Sequence, residues 1–318
     1  MTHDNSAESR SPSFRLHADH DHFSRGSAIR VNFYGAKACS KGRESDEGIG
    51  AFFTGAGQGV VFLARIAIRM NNTLPIEVPD RLPTRIDPCP IVEAIAEIRF
   101  VSAVPEQVIL GLIYAQVRER FPANVLLPLA LIPVEARLPS PVLIYQPVAQ
   151  FHSEEFLIQV GSRVAGLAIK PTRYPGWPRM RTEIVYLFEA LQKAAFISEA
   201  ERLALRYTNF FEDDVYRKIK LDVLLDRKAY RSHEMAIMTS FTMGAATARL
   251  SVANNAVATI DGKAVPGSIL DADVWFSSLD FDLFERGLES FEEAHLLQKQ
   301  IFFGLLKPEV VASLNPIY

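Results

Sequence analysis

The chain has 318 residues, 48% hydrophobic and 22% charged, which excludes a low-complexity or collagen-like chain and allows one large domain or two small ones. Its formal charge of −3 is uneven: residues 1–69 carry a net +2, which leaves −5 on residues 70–318, so the patterned part is mildly acidic and general nucleic-acid binding is disfavoured. Two cysteines, Cys39 and Cys89, are too few for a disulfide framework, and no apolar run reaches the roughly 20 residues of a membrane span.

Residues 1–69 are polar, rich in His and Ser, and follow neither a period of 2 nor one of 3.6, which predicts a disordered leader. "HADHDH" places His17, His20 and His22 beside Asp19 and Asp21. These are metal ligands by type, but a specific site needs ligands held by a scaffold. Apolar patterning sets in abruptly after "IRMNNTLPIEVPDRLP", so Met70 is an alternative start and residues 70–318 are expected to form a single α+β domain.

"PIVEAIAEIRF" (90–100) opens the patterned part. Val92, Ala94, Ala96, Ile98 and Phe100 form one strand face and Glu93, Ile95, Glu97 and Arg99 the other. A helix follows from Pro105, with Val108, Ile109, Leu112, Ile113 and Val117 as its apolar stripe. Residues 142–151, 155–162 and 163–170 read as a three-strand meander. The loop "PTRYPGWP" leads into a helix whose inner face is Ile184, Leu187, Phe188 and Leu191.

The second half repeats the scheme. A strand is expected at 201–211, a short helix within "DDVYRKIKLDVLLD", strands at "MAIMTSFTMG", "ATARLSVANN" and "SILDADVWFSS", and a turn at Asp261-Gly262. A long helix is expected from Phe284 to Leu306 with Ala294, Leu297, Ile301 and Leu305 on one face. The expected fold is thus α+β: two β-α-βββ-α half-repeats, about residues 85–200 and 201–318, forming a curved antiparallel sheet with helices on one face. Their first strands are expected to meet at the centre, as in duplicated folds of the TATA-binding-protein type.

Taken jointly, "PIVEAIAEIRF", "YPGW", "ERLALRYTNFF", "ILDADV" and "FEEAHLLQKQIFFGLLKPEVVASLNP" resemble the motifs of a sporadically distributed, uncharacterised family of bacterial proteins. The resemblance spans roughly Pro90 to Pro316, with "RYTN" (Arg206 to Asn209) where the family has an "RYIN"-like run. It implies a mobile accessory gene, of the kind found in phage-defence and toxin–antitoxin modules, and no established activity.

The candidate chemistry is sparse. Asp271 and Asp273 share a strand face with Asp280 and Asp282 close behind, and alternating carboxylates can hold Mg²⁺ or Ca²⁺. Such pairs are also common on solvated sheet faces. Glu292 and His295 form one Glu-x-x-His, where a di-iron bundle needs two. No nucleophile elbow, Cys–His signature or phosphate-binding loop occurs in residues 70–318. "YPGW" offers Tyr174 and Trp177 as partner-facing aromatics, against the plainer expectation that Trp177 packs over the sheet edge. If the first strands of the halves pair antiparallel, Glu93 or Glu97 faces Arg206 across the ladder.

The reading is therefore a cytoplasmic, non-enzymatic protein that needs no cofactor. It would contact a protein partner, a small ligand or a second copy of itself through the open sheet face, with Glu93, Glu97, Arg99, Arg206, Tyr174 and Trp177 as binding residues. The alternative is a metal-dependent hydrolase or nucleotide-processing enzyme using Glu93, Glu97, Asp271 and Asp273.

Overall fold

The computed structural model describes residues 75–170, 174–260, 263–277, 279 and 282–318, together with the backbone of Val31–Asn32. The remainder of the expected leader, its His/Asp tract, the Asp261-Gly262 turn and Asp280 lie outside the described residues. Val31–Asn32 form a two-residue strand, β1.

The patterned chain begins with β2 (Ile91–Ser102), whose alternation is the one the sequence predicts: Ala94, Ala96, Ile98 and Phe100 are fully buried. Val92 is the exception. The register against the neighbouring strand shifts between Ile91 and Glu93, leaving Val92 as the extra residue, and it packs with Phe210, Ala256 and Ile269 in a separate small cluster. Helix α1 (Glu106–Val117) starts one residue after Pro105, whose carbonyl accepts from Val108 and Ile109. Its buried stripe is narrower than predicted: Ile109, Ile113 and Val117 are buried and Val108 is exposed.

Four strands follow, one more than expected: β3 (Ala123–Leu126), β4 (Ala149–His152), β5 (Phe156–Val160) and β6 (Val164–Ile169). The strand expected from residue 142 starts only at Ala149. Ser140 closes a turn there, its carbonyl accepting from the amides of Leu143 and Ile144, so the apolar run "VLIY" coils instead of extending. A four-residue helix, α2 (Val134–Arg137), precedes that turn. Arg137, 2% exposed, makes a two-pronged pair with Glu106 in the first turn of α1 at 2.6 and 2.8 Å.

Helix α3 (Trp177–Ala194) follows Gly176, which takes φ = 94° at the turn into the helix, and buries Ile184, Leu187, Phe188 and Leu191 as predicted. Then come β7 (Ile197–Phe211), a short 3₁₀ turn (Val215–Arg217), a minor hairpin of β8 (Leu224–Leu225) and β9 (Lys228–Ala229), and three strands, β10 (Ala236–Met243), β11 (Ala246–Ile260) and β12 (Lys263–Ser277). Helix α4 (Leu283–Leu305) is capped by Asp282, whose carboxylate accepts from the amides of Phe284 and Glu285. A short helix, α5 (Pro308–Ser313), closes the chain.

The protein is mixed α+β. A ten-stranded sheet runs β1-β11-β12-β7-β2-β6-β5-β4-β3, and β10 shares the outer edge of β11 with β1. Strands β2 and β7 pair antiparallel at its middle, along Ile91–Ser102 and Ile197–Asn209. Helices α1, α3 and α4 bury their apolar faces in one core with Ala94, Ala96, Ile98, Leu203, Leu205 and Val274. The opposite face of the central strands carries no helix among the described residues. The second half has no counterpart of α1 between β7 and its next sheet strand, only the 3₁₀ turn and the minor hairpin. Register shifts in β2 and between Ala253 and Ala256 of β11 bend these long strands, with Asn255 at φ = 61° absorbing the second.

Candidate functional site

The helix-free face of β2, β7, β12 and β11 is a cleft of about 730 Å³. Strand alternation decides what enters it: residues of β7 two apart share a face, so Arg202, Ala204, Arg206 and Thr208 point away from the helices while Leu203, Leu205 and Tyr207 point toward them. Register then aligns the charges. Arg202 lies opposite Arg99, Arg206 opposite both Ile95 and Asp273, and Thr208 opposite both Glu93 and Asp271.

Like charges facing one another across a ladder are destabilising, and diagonal neighbours relieve them. Arg202 reaches Glu97 on one side and Asp273, at 2.6 Å, on the other. Arg99 holds the same Glu97 oxygen at 2.7 Å. Arg206 donates to Asp271 at 2.7 Å, and the Thr208 hydroxyl donates to the same oxygen at 2.9 Å. Two aromatic rings complete the lattice. Tyr145 lies under the guanidinium groups of Arg99 (4.5 Å) and Arg163 (5.6 Å), and Trp275 under those of Arg202 (5.0 Å) and Arg249 (5.5 Å).

Burial raises the pKa of Asp273 above the ordinary carboxylate value, with Arg202 opposing it. Burial also acts against the Arg206 charge, but Asp271 and Glu93 beside it more than offset this, and its pKa is raised. Arg249 differs from its neighbours: among the described residues it has no carboxylate within ion-pair distance.

The expected cross-strand contact is thus divided between partners. Glu93 sits 3.9 Å from Arg206, at the outer limit of an ion pair, while Glu97 is held by Arg99 and Arg202. The nearest partner of Arg206 is Asp271, whose position beside β7 only the register reveals. Arg202 carried a readable signal, since four residues from Arg206 on a strand means the same face. Trp275, two residues beyond Asp273 on its strand, carried the same signal, whereas Arg249 and Tyr145 carried none.

Tyr174 and Trp177 are not part of this cleft. They lie on the helix side, where the Trp177 ring stacks flat on His295 of α4, 4.1 Å between centroids and 7° between planes. The Trp177 indole N–H donates to Glu292 at 3.0 Å, and Arg181 pairs with the same carboxylate. The single Glu-x-x-His therefore fastens the "YPGW" loop to α4, in place of the expected packing of Trp177 over a sheet edge. Nδ1 of His295 is 3.1 Å from the Tyr207 hydroxyl, which is 3.1 Å from that of Tyr174. Burial, reinforced by Lys299, pulls the His295 pKa down to about 3, so the ring is neutral at physiological pH. Burial likewise raises both tyrosines.

A divalent cation needs several converging oxygens. One oxygen of Asp271 and one of Asp273 are already engaged by arginines, and no group of three or more His, Cys, Asp and Glu side chains among the described residues could hold a metal. No described helix is long and apolar enough to cross a membrane. No protein-family model matches the chain, and a search of curated proteins finds no match.

Proposed function

We propose that the protein works by binding, and that its recognition surface is the cleft on the helix-free face of the central strands. The observation that carries this reading is the charge lattice of Glu93, Glu97, Asp271 and Asp273 with Arg99, Arg202 and Arg206. Each of these carboxylates lies within ion-pair distance of an arginine, an arrangement suited to holding side chains in fixed positions rather than to moving protons or gripping a metal. Electrostatic complementarity of this kind confers specificity and register on a partner. Arg249 is the anchor: its guanidinium sits on Trp275, has no carboxylate within ion-pair distance among the described residues, and would take an acidic group of the bound protein or ligand.

The half-repeat arrangement belongs to the same proposal. The antiparallel β2–β7 pair at the centre, β6 and β12 on either side of it, and α3 and α4 each following a flanking strand support two related halves meeting along the cleft. The accessory role implied by the resemblance, in a defence or toxin–antitoxin module, would place the partner among the products of neighbouring genes.

The test is quantitative affinity capture from native cells with wild type, Arg249→Glu and a control, Glu289→Lys at an exposed position of α4, reading both proteins and small molecules. A species lost with Arg249→Glu and retained by the control supports the reading. Identical profiles for all three proteins contradict it.

A further inference from the structure

On the other side of the sheet lies a second cavity, of about 660 Å³, between the segment leading into β2, residues 174–178 at the entry to α3, and α4. This is within the range of small-molecule sites, which combine apolar walls with a few convergent polar groups. Here the walls are Ile86, Trp177, Phe302 and Phe303, with Tyr207 of the central strand also in the lining. Trp177 cannot swing freely, being clamped between His295 and Glu292, so the aromatic wall is preformed.

The charges in this lining are unbalanced. Among the described residues Glu155 is its only acidic side chain, and Arg179 holds that carboxylate at 3.0 Å. Lys299 and Arg85 also line the cavity, and among the described residues neither has a carboxylate within ion-pair distance. The hydroxyls of Tyr174 and Tyr207 are engaged with each other, and Tyr207 also with His295, so they do not quench the lysine. Burial lowers the proton affinity of Lys299, and burial, with a smaller contribution from the lysine's own charge, suppresses the charge on His295, so Lys299 stands beside a neutral ring and not beside a second cation.

We infer that this cavity binds a small amphipathic anion: a single carboxylate or sulfonate on Lys299, joined to an aromatic body packed against Trp177, Phe302 and Phe303. The site is independent of the sheet-face cleft, from which the sheet itself separates it. An apolar wall alone would accept any hydrophobe, whereas an ammonium group with no carboxylate partner among the described residues, set among aromatic rings, selects an acid.

The test uses two fluorescent probes with nearly the same body, the anionic 1-anilinonaphthalene-8-sulfonate and the uncharged N-phenyl-1-naphthylamine, titrated into the full chain. The anionic probe should bind saturably at one site. Lys299→Met should weaken it at least tenfold while changing the neutral probe by less than threefold. Ile86→Trp, which fills the cavity from a partly exposed position, should weaken both. Lack of saturable binding, equal loss of both probes with Lys299→Met, or indifference of both probes to Ile86→Trp would each overturn the inference.

Discussion

Replacing Arg202 with methionine isolates the centre of the charge lattice, because it removes the guanidinium and keeps most of the volume. Arg202 is 15% exposed and joins Glu97 (22%) to Asp273 (17%). Glu97 keeps Arg99 after the change, but Asp273 loses the one ion-pair partner it has among the described residues. Stranding one member of a fully buried pair costs about 3–5 kcal/mol. Residual hydration at these exposures reduces that to about 2–3 kcal/mol, which a domain with ordinary stability of about 5–15 kcal/mol survives.

The pH dependence carries a definite sign. Asp273 already has a raised pKa in the folded protein, and losing Arg202 raises it further. Between the unfolded and the raised folded pKa the native state binds more protons, so stability falls as pH rises through that window. The deficit of Arg202→Met relative to wild type should therefore be full at about pH 8 and shrink toward about pH 5, and Asp273→Asn in the same chain should recover most of it and flatten the dependence. Urea unfolding at several pH values measures this. A deficit below about 1 kcal/mol, or one independent of pH, would refute the reasoning.

Three other substitutions probe how the cleft is supported. Arg137→Ala strands Glu106 at the start of α1 and should cost about 3–5 kcal/mol, most of it recovered by the pair Arg137→Met with Glu106→Gln, as read by chemical denaturation. Gln298, 2% exposed on α4, donates at 2.7 Å to the carbonyls of both Leu205 and Ala272, so Gln298→Leu should cost about 1–3 kcal/mol and speed amide exchange in β7 and β12. A methyl group at Gly267 would come 2.3 Å from the Phe211 carbonyl and 2.5 Å from the Phe210 ring, so Gly267→Ala should lower stability by about 1–3 kcal/mol and shift the Tm downward.

Much of the fold was legible because its signals are local. The alternation of β2, the stripe of α3 and the apolar face of α4 each rest on residues close together in the chain, and each element formed within a residue or two of where these placed it. The strand expected from residue 142 failed because Ser140 makes a turn that apolar composition does not report. The site was legible only in part. Glu93, Glu97, Asp271 and Arg206 could be assigned a face, but which acid meets which arginine depends on the register of β12 against β7, fixed by contacts more than 60 residues apart in the chain. Tyr174 and Trp177 were singled out with the cleft residues, yet they stand on the other side of the sheet, because α4 brings His295 and Glu292 to them.

The central claim, that the sheet-face carboxylates serve the arginines and not a metal, is tested most directly by thermal unfolding with Mg²⁺ or Mn²⁺. A site filled at ten times its Kd would add about 1.4 kcal/mol and raise Tm by about 2–3 °C in a chain of this length. The account predicts no shift beyond that of an ionic-strength control, for wild type and Asp271→Asn alike. A shift of about 2 °C or more in wild type that vanishes in Asp271→Asn would contradict it.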